Sequence, residues 1–232
     1  MDHVPGTLAL VGSGEYLEPM EPVDRFLLSR LAGEPRVVCL PTAAGTEGVE
    51  RIAYWSRLGV NYFTRLGAPA EAVEVIDRAT ADDEARAARI RAANFVYLSG
   101  GRPDYLFKCL SDTRAWAAVM QVLDRGGVVA GCSAGAMIFG ESLPSFPTLL
   151  PFTRAFNFLP GAVILPHYDE IPGGFARVLR LLSGKKTLLG IEGNTALVHA
   201  DGAFTVTGAG GVTVWNRRQK RRYTDGETAQ WP

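Results

Sequence analysis

Short apolar runs alternate with longer segments in which apolar residues recur at helical spacing along roughly the first 130 residues. Runs of β-branched and aromatic residues indicate buried strands, whereas apolar residues every three to four positions indicate amphipathic helices. The pattern predicts strands at 7–11, 36–40, 72–76, 95–98 and 128–130 and helices at 22–31, 47–58, 81–93 and 113–124. This alternation is typical of a mostly parallel sheet with helices on both faces. We therefore expect a three-layer, flavodoxin-like α/β fold in a single domain over residues 1–232.

The pattern changes after residue 160, where short strands follow one another with turn residues between them. The predicted elements are strands at 162–165, 188–191, 195–199, 203–207 and 212–215 and a helix at 175–182. Asp201-Gly202 and residues 208–211 are turn sequences of the kind that join hairpins. We expect C-terminal antiparallel hairpins that close the sheet or fold over one end. Residues 141–160 are expected to form an irregular excursion that borders the site.

Small and polar residues follow four of the predicted parallel strands, at 12–14, 41–43, 99–101 and 131–133. In open α/β sheets, ligands bind in the crevice beyond the carboxyl ends of the strands. The sequence therefore predicts the functional site at this edge of the sheet.

Composition excludes several classes of partner. The chain has 24 basic and 24 acidic residues and a pI of about 6.8, so it has no global attraction for nucleic acid or anionic membranes. The basic run 217–222 is expected to be a solvated hairpin or tail. The first residues lack the features of a leader, and no apolar stretch is long enough to span a bilayer. We expect a cytoplasmic protein that binds neither nucleic acid nor membrane, with the oligomeric state, a homo-oligomer included, left open.

The chain has three widely spaced cysteines, at positions 39, 109 and 132. An odd, dispersed set does not form a disulfide framework or a zinc site, and it fits a reducing compartment. Gly12-Ser13-Gly14 lacks the third glycine of a dinucleotide-binding loop and is expected to be a turn. We expect no metal ion and no cofactor.

The strongest candidate for chemistry is Gly131-Cys132-Ser133-Ala134-Gly135 at the end of the run 128–130. A Gly-x-Ser-x-Gly sequence between a buried strand and a helix is typical of a nucleophile elbow, whose strained turn exposes the serine hydroxyl. The flanking glycines avoid collisions that a Cβ would cause. The N–H of Ala134 at the helix N-terminus supplies half of an oxyanion hole. Cys132 is a weaker candidate for the nucleophile, since it lies off the centre of the motif, and a packed core thiol is its expected role.

A serine nucleophile needs a base, and three histidines are available. His167 ends the predicted strand 162–165 and should reach the crevice, whereas His3 precedes the first strand and His199 is expected at the surface. The acid that orients the base could be Asp169, Glu170 or Glu192. An order of serine, acid and histidine would instead pair Ser133 with His199, as in an α/β-hydrolase-like esterase.

Five segments together resemble the dipeptidase E and cyanophycinase family of serine peptidases. In chain order they are Gly12-Ser13-Gly14-Glu15, Leu98-Ser99-Gly100-Gly101, Gly131-Cys132-Ser133-Ala134-Gly135-Ala136, Pro166-His167-Tyr168 and Gly190-Ile191-Glu192-Gly193-Asn194-Thr195-Ala196-Leu197. The resemblance runs through nearly the whole chain. It implies a glutamine amidotransferase-like fold in which serine replaces the usual cysteine nucleophile.

By motif match, the resemblance implies a catalytic triad of Ser133 as nucleophile, His167 as general base and Glu192 as orienting acid, with Asp169 as the alternative acid. It implies an oxyanion hole formed by the N–H groups of Gly101 and Ala134. The implied reaction is hydrolysis of small peptides through an acyl-enzyme.

The resemblance also raises aspartyl peptides as substrates, which need a cation near the pocket. The available cations are Arg102, Arg154 and Arg177. Arg102-Pro103-Asp104 stands where the family often has Asp or Asn with Gln, and Ile191-Glu192-Gly193 stands where cyanophycinase-type members tend to read Ile-Asp-Glu. A non-catalytic, amidotransferase-like binding protein with a defective acid is the alternative from another functional class.

Overall fold

The computed structural model describes residues 5–145 and 152–230, so His3 and part of the predicted excursion lie outside the described residues. The strands are β1 (Thr7–Val11), β2 (Val37–Leu40), β3 (Ala70–Ala72), β4 (Phe95–Leu98), β5 (Val128–Cys132), β6 (Ser142–Leu143), β7 (Thr153–Arg154), β8 (Ala162–Leu165), β9 (Thr187–Ile191), β10 (Thr195–Ala200), β11 (Ala203–Gly208), β12 (Gly211–Trp215) and β13 (Lys220–Thr224). The α-helices are α1 (Glu21–Ser29), α2 (Val49–Arg65), α3 (Arg78–Ala81), α4 (Glu84–Ala92), α5 (Pro103–Leu110), α6 (Arg114–Asp124), α7 (Ala134–Met137) and α8 (Gly173–Leu182).

The main sheet of the described chain has seven strands in the order β11-β10-β1-β5-β4-β2-β3. Strands β1, β5, β4, β2 and β3 are parallel, and β10 and β11 continue the sheet antiparallel beside β1. Parallel strands need crossover connections, which the helices between them provide. The predicted mostly parallel α/β architecture is confirmed.

Both faces of the main sheet are buried by helices. Leu8 and Leu10 of β1 pack in one apolar cluster with Val119 of α6, whereas Ala9 packs in the opposite cluster with Phe63 of α2. Successive strand residues point to opposite faces, so the continuous apolar runs reflect burial on both sides. This three-layer arrangement holds the carboxyl ends of the parallel strands at one edge.

A second sheet has the order β13-β12-β9-β8, with β8 and β9 parallel and β12 antiparallel to its two neighbours. Leu189 and Val214 of this sheet belong to the same apolar cluster as Leu10, so the two sheets share a core. Helix α8 packs on the second sheet through Leu179 and Val163. The predicted C-terminal hairpins are therefore present: β10–β11 extends the main sheet and β12–β13 builds the second one.

Two predicted elements are corrected, and one helix was not predicted. The strand expected at 72–76 is Ala70–Ala72, and the helix expected at 81–93 is two helices. The side chain of Asp77 caps α3 and that of Asp83 caps α4, so the chain turns between them. Helix α5 was missed because Gly100, Gly101 and Pro103 lie close together at its start, a composition that is typical of a loop.

His199 is not at the surface, as the sequence suggested, but is 4% exposed on β10. Its ring lies 4.6 Å from the ring of Phe204 on the neighbouring strand, which covers it. The basic run 217–222 does form a hairpin with β12, and Lys220 lies 4.4 Å from the ring of Trp215. None of the helices in residues 5–145 and 152–230 combines the length and apolarity needed to cross a membrane.

Candidate active site

Ser133 occupies the turn between β5 and α7. Its φ of 51° and ψ of −111° lie outside the regions that non-glycine residues favour, at a cost of about 1–3 kcal/mol. The Ser133 N–H donates to the carbonyl of Val11 at 3.0 Å, and the Ser133 carbonyl accepts from the N–H groups of Ala136 and Met137, each at 3.0 Å. These bonds to β1 and to the first turn of α7 hold the strained residue in place.

The glycines on either side of Ser133 are required by close backbone contacts. A Cβ on Gly131 would lie 2.2 Å from the carbonyl oxygen of Gly135, and one on Gly135 would lie 2.4 Å from that of Leu98. Such distances are too short for any side chain. Strand β5 and helix α7 can therefore approach each other closely on either side of Ser133.

His167 reaches Ser133 from the end of β8. Its Nε2 lies 3.1 Å from the Ser133 Oγ, within hydrogen-bond distance. His167 has a φ of 52°, and the N–H of the next residue, Tyr168, donates to the carbonyl of Ile191 at 3.0 Å, which fixes the turn on β9. The imidazole side chain is 41% exposed, so a substrate can approach the pair from solvent.

The carboxylate that faces the other ring nitrogen belongs to Glu170. Its Oε1 lies 3.4 Å from the Nδ1 of His167, one turn further along the chain, and its side chain is 69% exposed. A neutral imidazole with its proton on Nδ1 would donate to Glu170 and present Nε2 as an acceptor to Ser133. Glu170 was one of three acids considered from the sequence.

Glu192, the acid that the family resemblance implied, has a different partner. Its two carboxylate oxygens accept from the Nε and Nη2 of Arg222, each at 2.6 Å, and these bonds hold the pKa of Glu192 below its ordinary value. Asp169, the alternative acid, accepts from the Gly193 N–H at 2.8 Å. The structure therefore pairs Glu192 with Arg222, and Glu170 is the carboxylate within hydrogen-bond distance of His167.

Gly101 and Ala134, the two residues expected to form the oxyanion hole, both lie close to Ser133, since Gly101 lines the same cleft and Ala134 follows Ser133 in the chain. The N–H of Gly100 donates to Glu15 at 2.9 Å and that of Arg102 to the Ala43 carbonyl at 3.0 Å, so Gly101 is held between two bonded neighbours. Gly101 has a φ of 143°, and a Cβ there would lie 2.6 Å from the Ala43 oxygen. Ala134 is the first residue of α7, where an N–H has no intrahelical acceptor.

Glu15 is a site residue to which the sequence analysis gave no role. One carboxylate oxygen accepts from the Gly100 N–H, and the other accepts from the thiol of Cys132 at 3.0 Å. Burial and the Glu15 charge raise the pKa of the Cys132 thiol well above its ordinary value. Because the thiolate is the nucleophilic form, Cys132 is unsuited to that role. The only available signal for Glu15 was its position in the first segment of the family resemblance.

Ser133 and His167 lie in a cleft of about 920 Å³. Of the three arginines considered as cations, Arg102 and Arg154 line the cleft, whereas Arg177 is absent from the described lining. Lys108 lines it as well and was not anticipated. Helix α5, which the sequence pattern did not show, supplies this lysine.

His199 lies at the other end of the sheet from Ser133. It pairs with Leu8 at the start of β1, whereas Cys132 pairs with Val11 at the end of the same strand. The esterase arrangement with His199 as base is therefore incompatible with the sheet register. Among the described residues, no group of three or more His, Cys, Asp or Glu side chains is arranged to hold a metal ion.

The chain is similar to several known proteins in sequence and in structure. The model of Peptidase family S51 matches residues 8–207. A cyanophycinase from Synechococcus elongatus is 27% identical over 154 residues, which are 61% of this chain and 48% of that protein, so the matched region spans about half of the relative. An uncharacterised peptidase from Listeria monocytogenes is 28% identical over 151 residues, covering 62% of this chain and 70% of that protein.

The solved structures include one that is similar over nearly the full length. The crystal structure of a peptidase from an acI-B1 Actinobacterium superposes with a TM-score of 0.88 at 32% identity and covers 97% of both chains. A putative peptidase E from Listeria monocytogenes superposes with a TM-score of 0.55 at 18% identity, covering 94% of this chain and 98% of that one. At that identity the second structure supports the fold alone.

Proposed function

Because the chain belongs to peptidase family S51, we propose that it is a serine peptidase that hydrolyses small peptides through an acyl-enzyme on Ser133. The observation that carries the proposal is the 3.1 Å separation between the Ser133 Oγ and the His167 Nε2. A hydroxyl becomes an effective nucleophile only when a neighbouring base removes its proton, and this imidazole is within reach. The strained turn that carries this hydroxyl is part of the cleft lining.

In the acylation step, the Ser133 oxygen attacks the peptide carbonyl while its proton moves to the His167 Nε2. The carbonyl oxygen takes up the electron pair and becomes an oxyanion, which the N–H groups of Gly101 and Ala134 stabilise. Each such donor typically contributes about 10²–10³-fold in rate. When the carbonyl re-forms, the C–N bond breaks and His167 gives its proton to the departing amine.

Deacylation repeats these steps with water. His167 removes a proton from a water molecule, which attacks the ester carbonyl, and the C–O bond to Ser133 breaks as the proton returns to the serine oxygen. Glu170 orients the imidazole and stabilises its protonated form. Its exposure makes it a weaker partner than a buried acid, since water screens the charge.

The family resemblance also raised a preference for aspartyl peptides, which would require a cation in the cleft. Arg102 and Arg154 would be the cations, since both line the cleft. Both are exposed, and the Arg102 guanidinium lies 3.3 Å from the carboxylate of Asp104. The proposed substrates are therefore small peptides, without a preference for aspartyl residues.

Active-site labelling with a fluorophosphonate tests the proposed function. We expect covalent labelling of the parent protein at Ser133 and none in Ser133→Ala, together with hydrolysis of a dipeptide panel that falls by several orders of magnitude in the variant. Ser29→Ala, at an exposed serine on α1, is the matched control and should behave as the parent. Equal hydrolysis by Ser133→Ala and the parent would overturn the proposal, and a parent that neither labels nor cleaves would favour the non-catalytic binding protein.

A further inference from the structure

We infer that the cleft selects substrates with a large apolar side chain next to the scissile bond rather than an acidic one. The inference rests on the proposed function and specifies the substrate class of the same site. It follows from the chemistry of the cleft walls and from where the charged groups of the lining lie.

Apolar side chains from different parts of the fold line the cleft. Phe107 of α5 and Met137 of α7 are on the side of the main sheet. The residues on the side of the second sheet come from β8, α8 and the turn between them, and they are Leu165, Ile171, Phe175 and Leu179. Ser133 and His167 lie in the same cleft as these side chains. A peptide carbonyl placed on Ser133 would therefore have apolar surface close to its neighbouring side chain.

The apolar residues on the two sides of the cleft pack in two different apolar clusters. Met137 packs with Leu143 and Ala155, and Phe107 packs against this cluster. Leu165 and Leu179 pack in another cluster, against which Ile171 packs. Because these wall residues are already fixed by packing, they lose little conformational entropy when an apolar substrate side chain binds. Most of the free energy of burying that side chain therefore contributes to affinity.

The charged residues of the cleft are hydrated. Arg102, Lys108 and Arg154 are exposed, and Asp104 is half-buried beside Arg102. None of these described cations is buried with the apolar walls. An aspartyl carboxylate in the interior would lose hydration without gaining a buried partner, which is unfavourable. The exposed cations can instead meet the terminal carboxylate of a short peptide.

The size of the cleft agrees with this substrate class. Its volume of about 920 Å³ lies at the upper end of the roughly 300–1,000 Å³ typical of small-molecule sites. An aspartyl side chain would leave the accessible part of the apolar wall, which Phe107, Ile171 and Phe175 mainly supply, in contact with water. A leucyl or phenylalanyl side chain would cover more of it, and burial of that area favours binding.

Substitution of Phe175 tests whether the apolar lining selects the substrate side chain. It lines the cleft but is 37% exposed, so its removal should not unfold the protein. Leu181 lies on the same helix, is 81% exposed and is absent from the cleft lining, which makes Leu181→Ala the matched control for Phe175→Ala. Alanine is the best helix former, so α8 should persist in both variants.

The experiment measures kcat/KM for dipeptides in which each position is Leu, Phe, Ala or Asp. We expect Leu or Phe to exceed Ala and Asp by at least about tenfold at one of the two positions. Phe175→Ala should reduce that ratio severalfold, mainly through KM, and Leu181→Ala should preserve it. Cleavage of Asp or Ala peptides as fast as Leu or Phe peptides at both positions would overturn the inference while leaving the peptidase intact.

Binding to Ser133→Ala, measured by calorimetry with the same dipeptides, separates the inference from the proposed function. Tighter binding of Leu or Phe peptides, with no hydrolysis by the parent protein, would support the apolar cleft and reject the peptidase. Equal or tighter binding of Asp peptides would reject the apolar cleft whether or not the parent is active.

Discussion

The Glu15 side chain accepts a hydrogen bond from the thiol of Cys132, the residue before Ser133, at 3.0 Å. Its second carboxylate oxygen accepts from the Gly100 N–H at 2.9 Å, next to Gly101. One side chain thus joins the two segments that carry the proposed nucleophile and the proposed oxyanion donor. Gly100 must be a glycine for this, since a Cβ there would lie 2.7 Å from the Glu15 oxygen.

Glu15→Ala should therefore lower kcat with little change in KM. Without the carboxylate, the Gly100–Gly101 segment loses its link to β5, and misplaced catalytic groups cost up to about a hundredfold in rate. Glu15→Gln keeps an oxygen for the Gly100 N–H and should retain more activity than Glu15→Ala. Steady-state kinetics of both variants, alongside the exposed-site control Glu18→Ala, provide the test. A Glu15→Ala enzyme with the parent kcat would show that this link does not position the site.

The contact between Glu170 and the Nδ1 of His167 predicts which acid supports catalysis. Glu170→Gln should lower kcat by about tenfold, less than the roughly 10⁴-fold loss typical of a buried triad acid, because the side chain is 69% exposed. KM should stay close to that of the parent. If kcat for a good dipeptide substrate were unchanged in Glu170→Gln, the imidazole would not depend on this carboxylate.

For Glu192 we predict the opposite outcome: substitution should change the stability of the protein rather than its turnover. Glu192→Gln removes the negative charge of the pair with Arg222 and one of its two acceptor oxygens, and it should cost about 1 kcal/mol of unfolding free energy, since Arg222 is 49% exposed and water screens the pair. Because Arg222 lowers the pKa of Glu192, this stabilisation should be present at neutral pH and disappear as the pH falls through the lowered pKa.

Urea unfolding of Glu192→Gln and the parent at neutral and acidic pH measures both effects. Arg222→Gln should reproduce the neutral-pH loss, because it breaks the same ion pair from the other side. A large fall in kcat for Glu192→Gln, with unchanged stability, would instead restore Glu192 as the orienting acid.

The main sheet could be predicted from the sequence because its strands are buried on both faces. Runs such as 95–98 are continuous and apolar, and the structure has a strand with the same limits. Ser133 follows such a run at the end of β5, whereas His167 follows β8 of the second sheet, so the order of the main sheet does not by itself bring the two residues together. Their side chains are 3.1 Å apart although they are separated by 34 positions.

The acid could not be predicted in the same way. The partner of Glu192 is Arg222, 30 positions away on β13, and the contact depends on how β9, β12 and β13 are aligned in the second sheet. Strand β13 has the sequence Lys220-Arg221-Arg222-Tyr223-Thr224. Its three consecutive basic residues do not form the apolar pattern of a strand, so the strand and the contact from Arg222 to Glu192 could not be predicted. Spacing along the chain contains no information on such a pairing.

The buried carboxyl of Asp24 gives the protein a further pH dependence. Asp24 is fully buried on α1, and its Oδ2 accepts from the Tyr62 hydroxyl at 2.7 Å. Burial raises the pKa of Asp24 from 3.8 to about 7, and the bond from Tyr62 opposes the rise only partly. The folded protein therefore holds a proton on Asp24 over a pH range in which the unfolded chain has lost it.

Because the folded-state pKa is the higher one, folding takes up a proton between pH 3.8 and about 7 and the unfolding free energy should fall as the pH rises through that window. At about 1.4 kcal/mol for each pKa unit, the total loss is on the order of 4 kcal/mol. Asp24→Asn is neutral at every pH and keeps an oxygen for the Tyr62 hydroxyl, so it should gain stability over the parent between pH 5 and pH 8. Urea unfolding at these two pH values measures the gain, with the exposed-site variant Asp124→Asn as control. A constant difference between parent and Asp24→Asn across the window would mean that Asp24 is already ionised in the folded protein and that its burial is compensated by another group.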